Sequence, residues 1–484
     1  MLEPESATNQ RNRMTPSISR TFARWAASVT YDDLPAEVVE KVKALVLFHL
    51  VADLFGAEDD HARALVELVK SEEAKPDGAT ILVDGGKVTR TGAVLANCEL
   101  AHIAGLWDSF RMITHPGPVL IAVALANAEL NHKSGKDLIT ALAAGYEFEC
   151  RLADDFVPST SAQGFRPAPV FSTMGAAMVA GKLLDLDEDQ LVTMIAIAAS
   201  SASGLNEPGR VGGDERVFHE PNAARQGVFA ALMASFGGAR GSESAIEGDA
   251  GFYNAYAGSR DGHLSYVFRG ERKIDLASIT EGLGERYTML TVMFRIYNTS
   301  GYNQPVIELM TELHREHHLD PAEIEEVVIS MNYLETLYPS PEFPRFADPT
   351  VPRVGSIQFF CAHAAVNGGF PVVGGDTFGP TGDDVFHDQA VIDFMTERVR
   401  LVGVHDQPMF SPSISVRLRS GATISGVYPY DRMAWLFDEL VDNLGRCTPR
   451  MPGGRGRLGA LAELARRLES LDGVAPIIEA MAAG

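Results

Sequence analysis

Apolar positions along this chain recur mostly every three or four residues, so helices dominate the elements they predict. From Ser19 to about residue 275 the pattern is almost wholly helical. Pro35 is a favourable first helical residue, and the run after it reaches a glycine stop at Gly56. The stretch 79–92, ATILVDGGKVTRTG, alternates and turns at Gly85-Gly86, which predicts a hairpin. An Ala-rich helix from Val94 breaks into a polar loop carrying Asp108, Ser109, Arg111 and His115. Five further helices follow at 118–131, 136–152, 173–184, 188–204 and 223–236. Small residues dominate them (AVALANAEL, ITALAAGYE, GAAMVAGKLL), which lets helix axes approach closely.

The texture changes near residue 280. A helix over 305–318 leads to the alternating strand EEVVISMN, then to helices over 356–369 and 387–399. Strand-like runs follow in VRLVGVHD and ISVRLRSGATISGVY, the latter broken by a Ser-Gly turn. Helical spacing returns at 432–444, then a Pro/Gly/Arg-rich linker (447–457) and a last amphipathic helix over 458–471. The expected organisation is a tail over 1–18, a helical domain over 19–278, an α+β lid domain over 279–426, and a C-terminal helical segment over 427–484. The fold class is therefore mainly α with a smaller α+β part.

Composition narrows the function classes. A 484-residue chain that is 46% hydrophobic and 22% charged is a well-packed globular protein. Its net charge of −23 disfavours nucleic acid and anionic membranes as partners, and an anionic substrate would need local positive charge. The four scattered cysteines form no CxxC pair, and the apolar run from Ala44 is interrupted by His49 and Asp53. A reducing cytoplasm is the expected location, and the first eighteen residues read as a disordered tail rather than a targeting peptide. There is no dinucleotide or P-loop fingerprint, no HExxH and no GxSxG. The Gly-rich stretch 367–384 has three acids and no base, a poor phosphate cradle. His314, His317 and His318 are spaced like helical metal ligands, but also like imidazoles favouring a helix C-terminus, so no metal is expected. Cys98 and Cys150 read as inert core thiols.

A family resemblance rests on several blocks in order: FARWAASVTYDDLPAEVVEKVKALVLFHLVADLFGA, AHIAGLWDS with THPGPVLIAVALANAE, AGYEFECRLADD, GFRPAPVFSTMGAAMVAGKLLDLDEDQL and RVFHEPNAARQG. Together these resemble the MmgE/PrpD family over roughly residues 20–430. The resemblance implies a helical core domain with an α+β lid, a homodimer, no metal and no organic cofactor. It also implies proton chemistry at a carbon beside a carboxylate.

This chain departs from the family's pattern at several positions. In the loop motif HxxDxDDT, His102 opens the block, Gly105 and Trp107 replace two acids, Asp108 is kept and Ser109 stands for the threonine. His115-Pro116 falls at the family's distance downstream. Arg166 stands where the family has a histidine and Arg216 where it has a lysine, with His219 three residues on. The family's Lys-x-Tyr-Pro appears as Arg295-Ile296-Tyr297-Asn298, and the histidine beyond it as Gln304. Two groups able to move protons have thus become permanent guanidinium charges.

His115, with a reference pKa near ~6.5, is left as the proton-transfer candidate. Asp108 would orient it, and Ser109 and Tyr297 would hydrogen-bond the substrate or an enediolate-like intermediate. Arg166 and Arg216 would hold a carboxylate. His219, Trp107, His102 and Gln304 complete the expected binding site. Duller readings stay open: His115 capping the helix near Pro118, Asp108 ordering its loop, the arginines in structural ion pairs. Arg111 and Arg210 read as solvated loop charges. The expected activity is a cofactor-independent lyase, a dehydratase or decarboxylase of a small carboxylic acid. The alternatives are an epimerase or isomerase using the same carbanion, or a repurposed carboxylate-binding protein. Trp107 in place of a carboxylate predicts a substrate with fewer carboxylates and a larger apolar portion.

Overall fold

The computed structural model describes residues 16–112, 114–267, 271–337, 351–375 and 382–482. Most of the expected tail and the centre of the Gly-rich stretch lie outside them. The first half of the chain folds into α1 (Ile18–Ser28), α2 (Ala36–Gly56), α3 (Asp60–Glu73), α4 (Arg90–Ile103), α5 (Pro116–Leu130), α6 (Gly135–Ala153), α7 (Pro167–Leu183), α8 (Glu188–Ser201) and α9 (His219–Phe236). Reciprocal capping starts two of them: Ser134 with Asp137 at α6, and Asp187 with Gln190 at α8. Helices α5 and α7 are apolar all round and lie at the centre, α7 packed between α6 and α9. The small residues serve that closeness: a Cβ at Gly227 of α9 would sit 2.4 Å from the Cβ of Ala176 on α7.

Several boundaries differ from the sequence pattern. Helix α7 starts at Pro167, not 173, because proline at the first helical position lacks only an N–H that has no intrahelical partner. Helix α9 starts at His219, not 223. The expected hairpin forms between β1 (Ala74–Thr80) and β2 (Lys87–Val88). The expected polar loop after α4 holds a strand, β3 (Trp107–Ser109), paired antiparallel with β4 (Met293–Arg295). Such a pair joins segments almost two hundred residues apart, so nothing local in the sequence signals it.

The second part contains α10 (Asn303–His317), β5 (Ile324–Asn332), α11 (Ile357–Asn367), α12 (Gln389–Arg398), β6 (Val399–Val404), β7 (Ser413–Leu418) and β8 (Thr423–Val427). The sheet order is β6-β5-β7-β8, with β5 and β6 parallel and the other pairs antiparallel. The β7–β8 hairpin turns at Ser420-Gly421 as its sequence predicts. His318 ends α10 in the left-handed region, and His314 Nδ1 faces the Ala365 carbonyl at 3.1 Å. Among the described residues no three His, Cys, Asp or Glu side chains form a metal-binding group. The chain then returns to the helical part. Helices α13 (Phe437–Gly445) and α14 (Gly454–Arg466) pack on α2, and α15 (Ala475–Ala482) packs on α14. Helix α14 begins inside the expected linker, after Gly453 at φ +76°. The mainly helical fold with a smaller α+β part is the one its sequence pattern predicts. Among the described residues no helix is long and apolar enough to cross a membrane.

Candidate active site

The β3–β4 pair packs on α2 and α5, and it positions the candidate chemistry. Trp107 lies opposite Arg295 in the register. The Arg295 guanidinium lies 4.6 Å from the centre of the Trp107 ring. His102, at the end of α4, stacks on the same indole at 5.1 Å and 3°, and His115 packs against it at 4.8 Å. The indole N–H donates to the His102 carbonyl at 2.5 Å. Two imidazoles and a guanidinium are thus gathered around one aromatic ring.

His115 occupies the N-cap position of α5 but makes no side-chain capping bond. Its Nδ1 lies 3.1 Å from the Asp108 carbonyl and 3.0 Å from Ser109 Oγ. A carbonyl only accepts, so Nδ1 carries the hydrogen and Nε2 keeps its lone pair. Burial, with the Arg295 and Arg166 charges, pushes the imidazole well below its usual range. His115 is therefore a neutral base.

The Asp108 carboxylate points away from that imidazole. It accepts the Gly117 N–H at 2.9 Å and the Tyr146 hydroxyl at 2.8 Å, with His49 Nε2 at 3.5 Å. Asp108 thus caps α5 at a distance and holds His115 through its main chain. Gly117 is required by the same packing, since a Cβ there would lie 1.8 Å from His49 Nε2. Behind Asp108, burial lowers Lys41 to about 7, against the opposing pull of the Asp108 charge.

Arg166, just before α7, donates to Glu220 Oε2 at 2.6 Å in the interior. Burial alone would raise the Glu220 carboxyl, but Arg166 and His102 hold it below the usual carboxylate range. His102 Nε2 lies 3.4 Å from the same oxygen. His219 is half-buried beside them, and burial together with Arg166 lowers its imidazole.

Other expected site residues are engaged elsewhere. Arg216 is exposed, and only its carbonyl reaches the site, 3.4 Å from the Arg166 guanidinium. Its short 3-10 turn (Asp214–Phe218) leaves the side chain on the outer surface. The Tyr297 hydroxyl donates to Glu308 at 2.8 Å and accepts from Arg446 at 2.6 Å, an interaction that ties the C-terminal segment to α10. Gln304 spends its amide on the main chain of Ile296 and Tyr297. Arg111, expected to be solvated, pairs with Asp154 at 2.7 Å. The residues that sequence reasoning passed over are Arg295, Glu220, Glu99 and Tyr146. Arg295 stood in the recognised Lys-x-Tyr-Pro segment, and Glu220 directly follows His219.

The family profile for the MmgE/PrpD N-terminal domain matches residues 20–265, half of the chain, from within α1 to beyond α9. This chain belongs to the MmgE/PrpD family. It is 24% identical over 327 residues to a cis-aconitate decarboxylase of Aspergillus terreus, which covers 66% of this chain and 63% of the relative. It is 23% identical over 314 residues to a cis-aconitate decarboxylase-like protein of Aspergillus oryzae, covering 62% of each. Against the human cis-aconitate decarboxylase it is 26% identical over 249 residues, half of this chain and 51% of the relative. The chain thus spans less than two thirds of the length of these relatives.

Proposed function

We propose that this chain is a lyase that removes CO2 from a small carboxylic acid, with side chains alone carrying the chemistry. The observation that carries the proposal is His115: its Nδ1 is fixed by the Asp108 carbonyl and Ser109, its Nε2 is a neutral base, and Arg295 and Arg166 lie close enough to depress it. A bound carboxylate offsets those guanidinium charges, so substrate binding raises the His115 pKa and loads it with a proton. The substrate C–C bond then breaks, CO2 leaves, and the electron pair remains on carbon beside the second carboxylate or carbonyl group. Arg295 stabilises the resulting enediolate, and His115 returns its proton to the carbon. The names of the relatives support decarboxylation within this lyase class.

The electrostatics favour a substrate with fewer charges than a tricarboxylate. Glu220 neutralises Arg166, and Trp107 replaces an acid with an apolar wall. One or two carboxylates with a larger apolar portion suit that site. A second reading, epimerisation or isomerisation, draws on a specific observation: His102 is a second imidazole on the Trp107 ring. A homodimer in a cytoplasmic setting belongs to the same proposal.

The test is proton and carbon NMR in D2O with a panel of unsaturated and hydroxy mono-, di- and tricarboxylates, cis-aconitate included. Release of CO2 with one deuterium fixed in the product is the expected result. Deuterium exchange without loss of a group would replace the lyase with an epimerase or isomerase. Ligand-induced thermal stabilisation with no conversion across the panel would leave a carboxylate-binding protein.

A further inference from the structure

A row of alternating imidazoles and carboxylates leads from the surface towards the Trp107 cluster. His61, on α3, begins it with its side chain 40% exposed. Its Nε2 lies 3.4 Å from Glu99 Oε1, on α4. Glu99 Oε2 lies 3.8 Å from His102 Nδ1, one turn further along the same helix. His102 Nε2 in turn faces Glu220 Oε2 at 3.4 Å, where Arg166 closes the row. Glu99, His102 and Glu220 are all buried.

The facing atoms have an unusual property. His61 Nε2, both Glu99 oxygens and both His102 nitrogens are buried without a hydrogen-bond partner among the described residues. Buried polar atoms are normally paired, and these five lie in one continuous row instead of being scattered. Gaps of this size close with a small side-chain shift. Each group on the row can take a proton on one atom and release it from another, as a shuttle requires. An arrangement made only to stabilise the fold would pair these atoms tightly, as Arg151 and the Thr288 and Met289 N–H groups pair Glu147 on α6.

We propose that His61, Glu99 and His102 form a proton relay between solvent and the closed site. The proposal rests on the lyase reading in one respect, the need for a proton. Decarboxylation consumes one proton per turnover: the C–C bond breaks, CO2 leaves, and the carbon takes the proton carried by His115. His115 is buried, so its replacement has to be conducted. The proton enters at His61 and crosses Glu99 to His102, which shares the Trp107 ring with His115, the group it resupplies. His61 and Glu99 act through His102 and are positioning residues for the reaction.

The test uses the full chain labelled with 15N-histidine, and NMR measurement of how fast the His102 ring N–H exchanges with water. His61→Ala, a change at the surface, is expected to slow that exchange by at least about tenfold, and added imidazole is expected to restore it. Glu99→Gln is expected to slow it without rescue by imidazole, because the break lies inside the protein. Unchanged exchange in His61→Ala, or slowed exchange that imidazole does not restore, overturns the relay. This measurement needs no substrate, so its failure is distinct from failure of the lyase reading. With any acid of the NMR panel that is turned over, His61→Ala is expected to lower kcat in weak buffer while the first turnover keeps its rate. An unchanged kcat under those conditions also overturns the relay.

Discussion

At the scale of single residues, the site is organised by which atom of a side chain is already committed. Asp108 commits its carboxylate to the Gly117 N–H and the Tyr146 hydroxyl and leaves only its carbonyl to His115. Tyr146→Phe removes one hydrogen bond from a fully buried acid, and hydrogen bonds to charged groups contribute about 1.5–3 kcal/mol. Urea unfolding is expected to register a loss in that range, and a loss below about 0.5 kcal/mol would mean the bond is not formed in solution. Gly105 presents a different constraint. It sits at φ +75°, and a Cβ there would meet the Asn298 side chain at 3.0 Å. Gly105→Asp is therefore expected to destabilise by about 1–2 kcal/mol. A gain in thermal stability in that variant would show that the loop has another conformation. His115 and Ser109 were named mainly on the family resemblance, and the structure sets their side chains 3.0 Å apart. The surroundings of Tyr297 and Arg216 were not legible in the sequence, because a hydroxyl's partner here is Arg446, from the far end of the chain, and a guanidinium's exposure depends on how a surface turn is laid down.

Among the elements, β3 and β4 matter most and were the least visible. Each is three residues long, too short for a period-2 signal, and their pairing brings Arg295 over Trp107. The long helices were visible because each carries a sustained apolar pattern, although α7 and α9 started earlier than their apolar runs. The strand β5 carries a second consequence of burial. Glu335, just after it, accepts the Phe410 N–H at 2.7 Å, and burial raises its carboxyl to about 8 despite that bond. Its folded pKa lies above the unfolded value near ~4.3, so the folded chain binds this proton more tightly. The stabilising contribution is complete below pH ~4 and is lost as the pH rises towards 8. Glu335→Gln keeps an acceptor and removes the titration. Urea midpoints at pH 5 and pH 8.5 are expected to fall less in the variant than in the parent chain, and an equal fall in both would show that Glu335 is ionised throughout.

For the whole molecule, the helical core encloses the site and also leaves one apolar face outside. Phe229, Met233 and Phe236 lie at helical spacing on α9 and are 50%, 43% and 90% exposed. The homodimer proposed above is expected to use this face. Phe229→Glu with Met233→Glu is expected to convert the dimer to monomer in light scattering after size exclusion, and a dimer unaffected by both charges would place the interface elsewhere. The net charge of −23 also has a role at this scale. It repels anions at long range, which makes the local cation Arg295 decisive for holding a carboxylate.

The most direct test of this account compares the wild-type chain with His115→Gln in D2O, using the acid that the NMR panel identifies. The wild type should release CO2 and fix one deuterium beside the remaining carboxylate, and His115→Gln should lose at least about 100-fold in rate while folding normally. A His115→Gln protein that still converts the acid at a rate near wild type would contradict the assignment of proton transfer to His115.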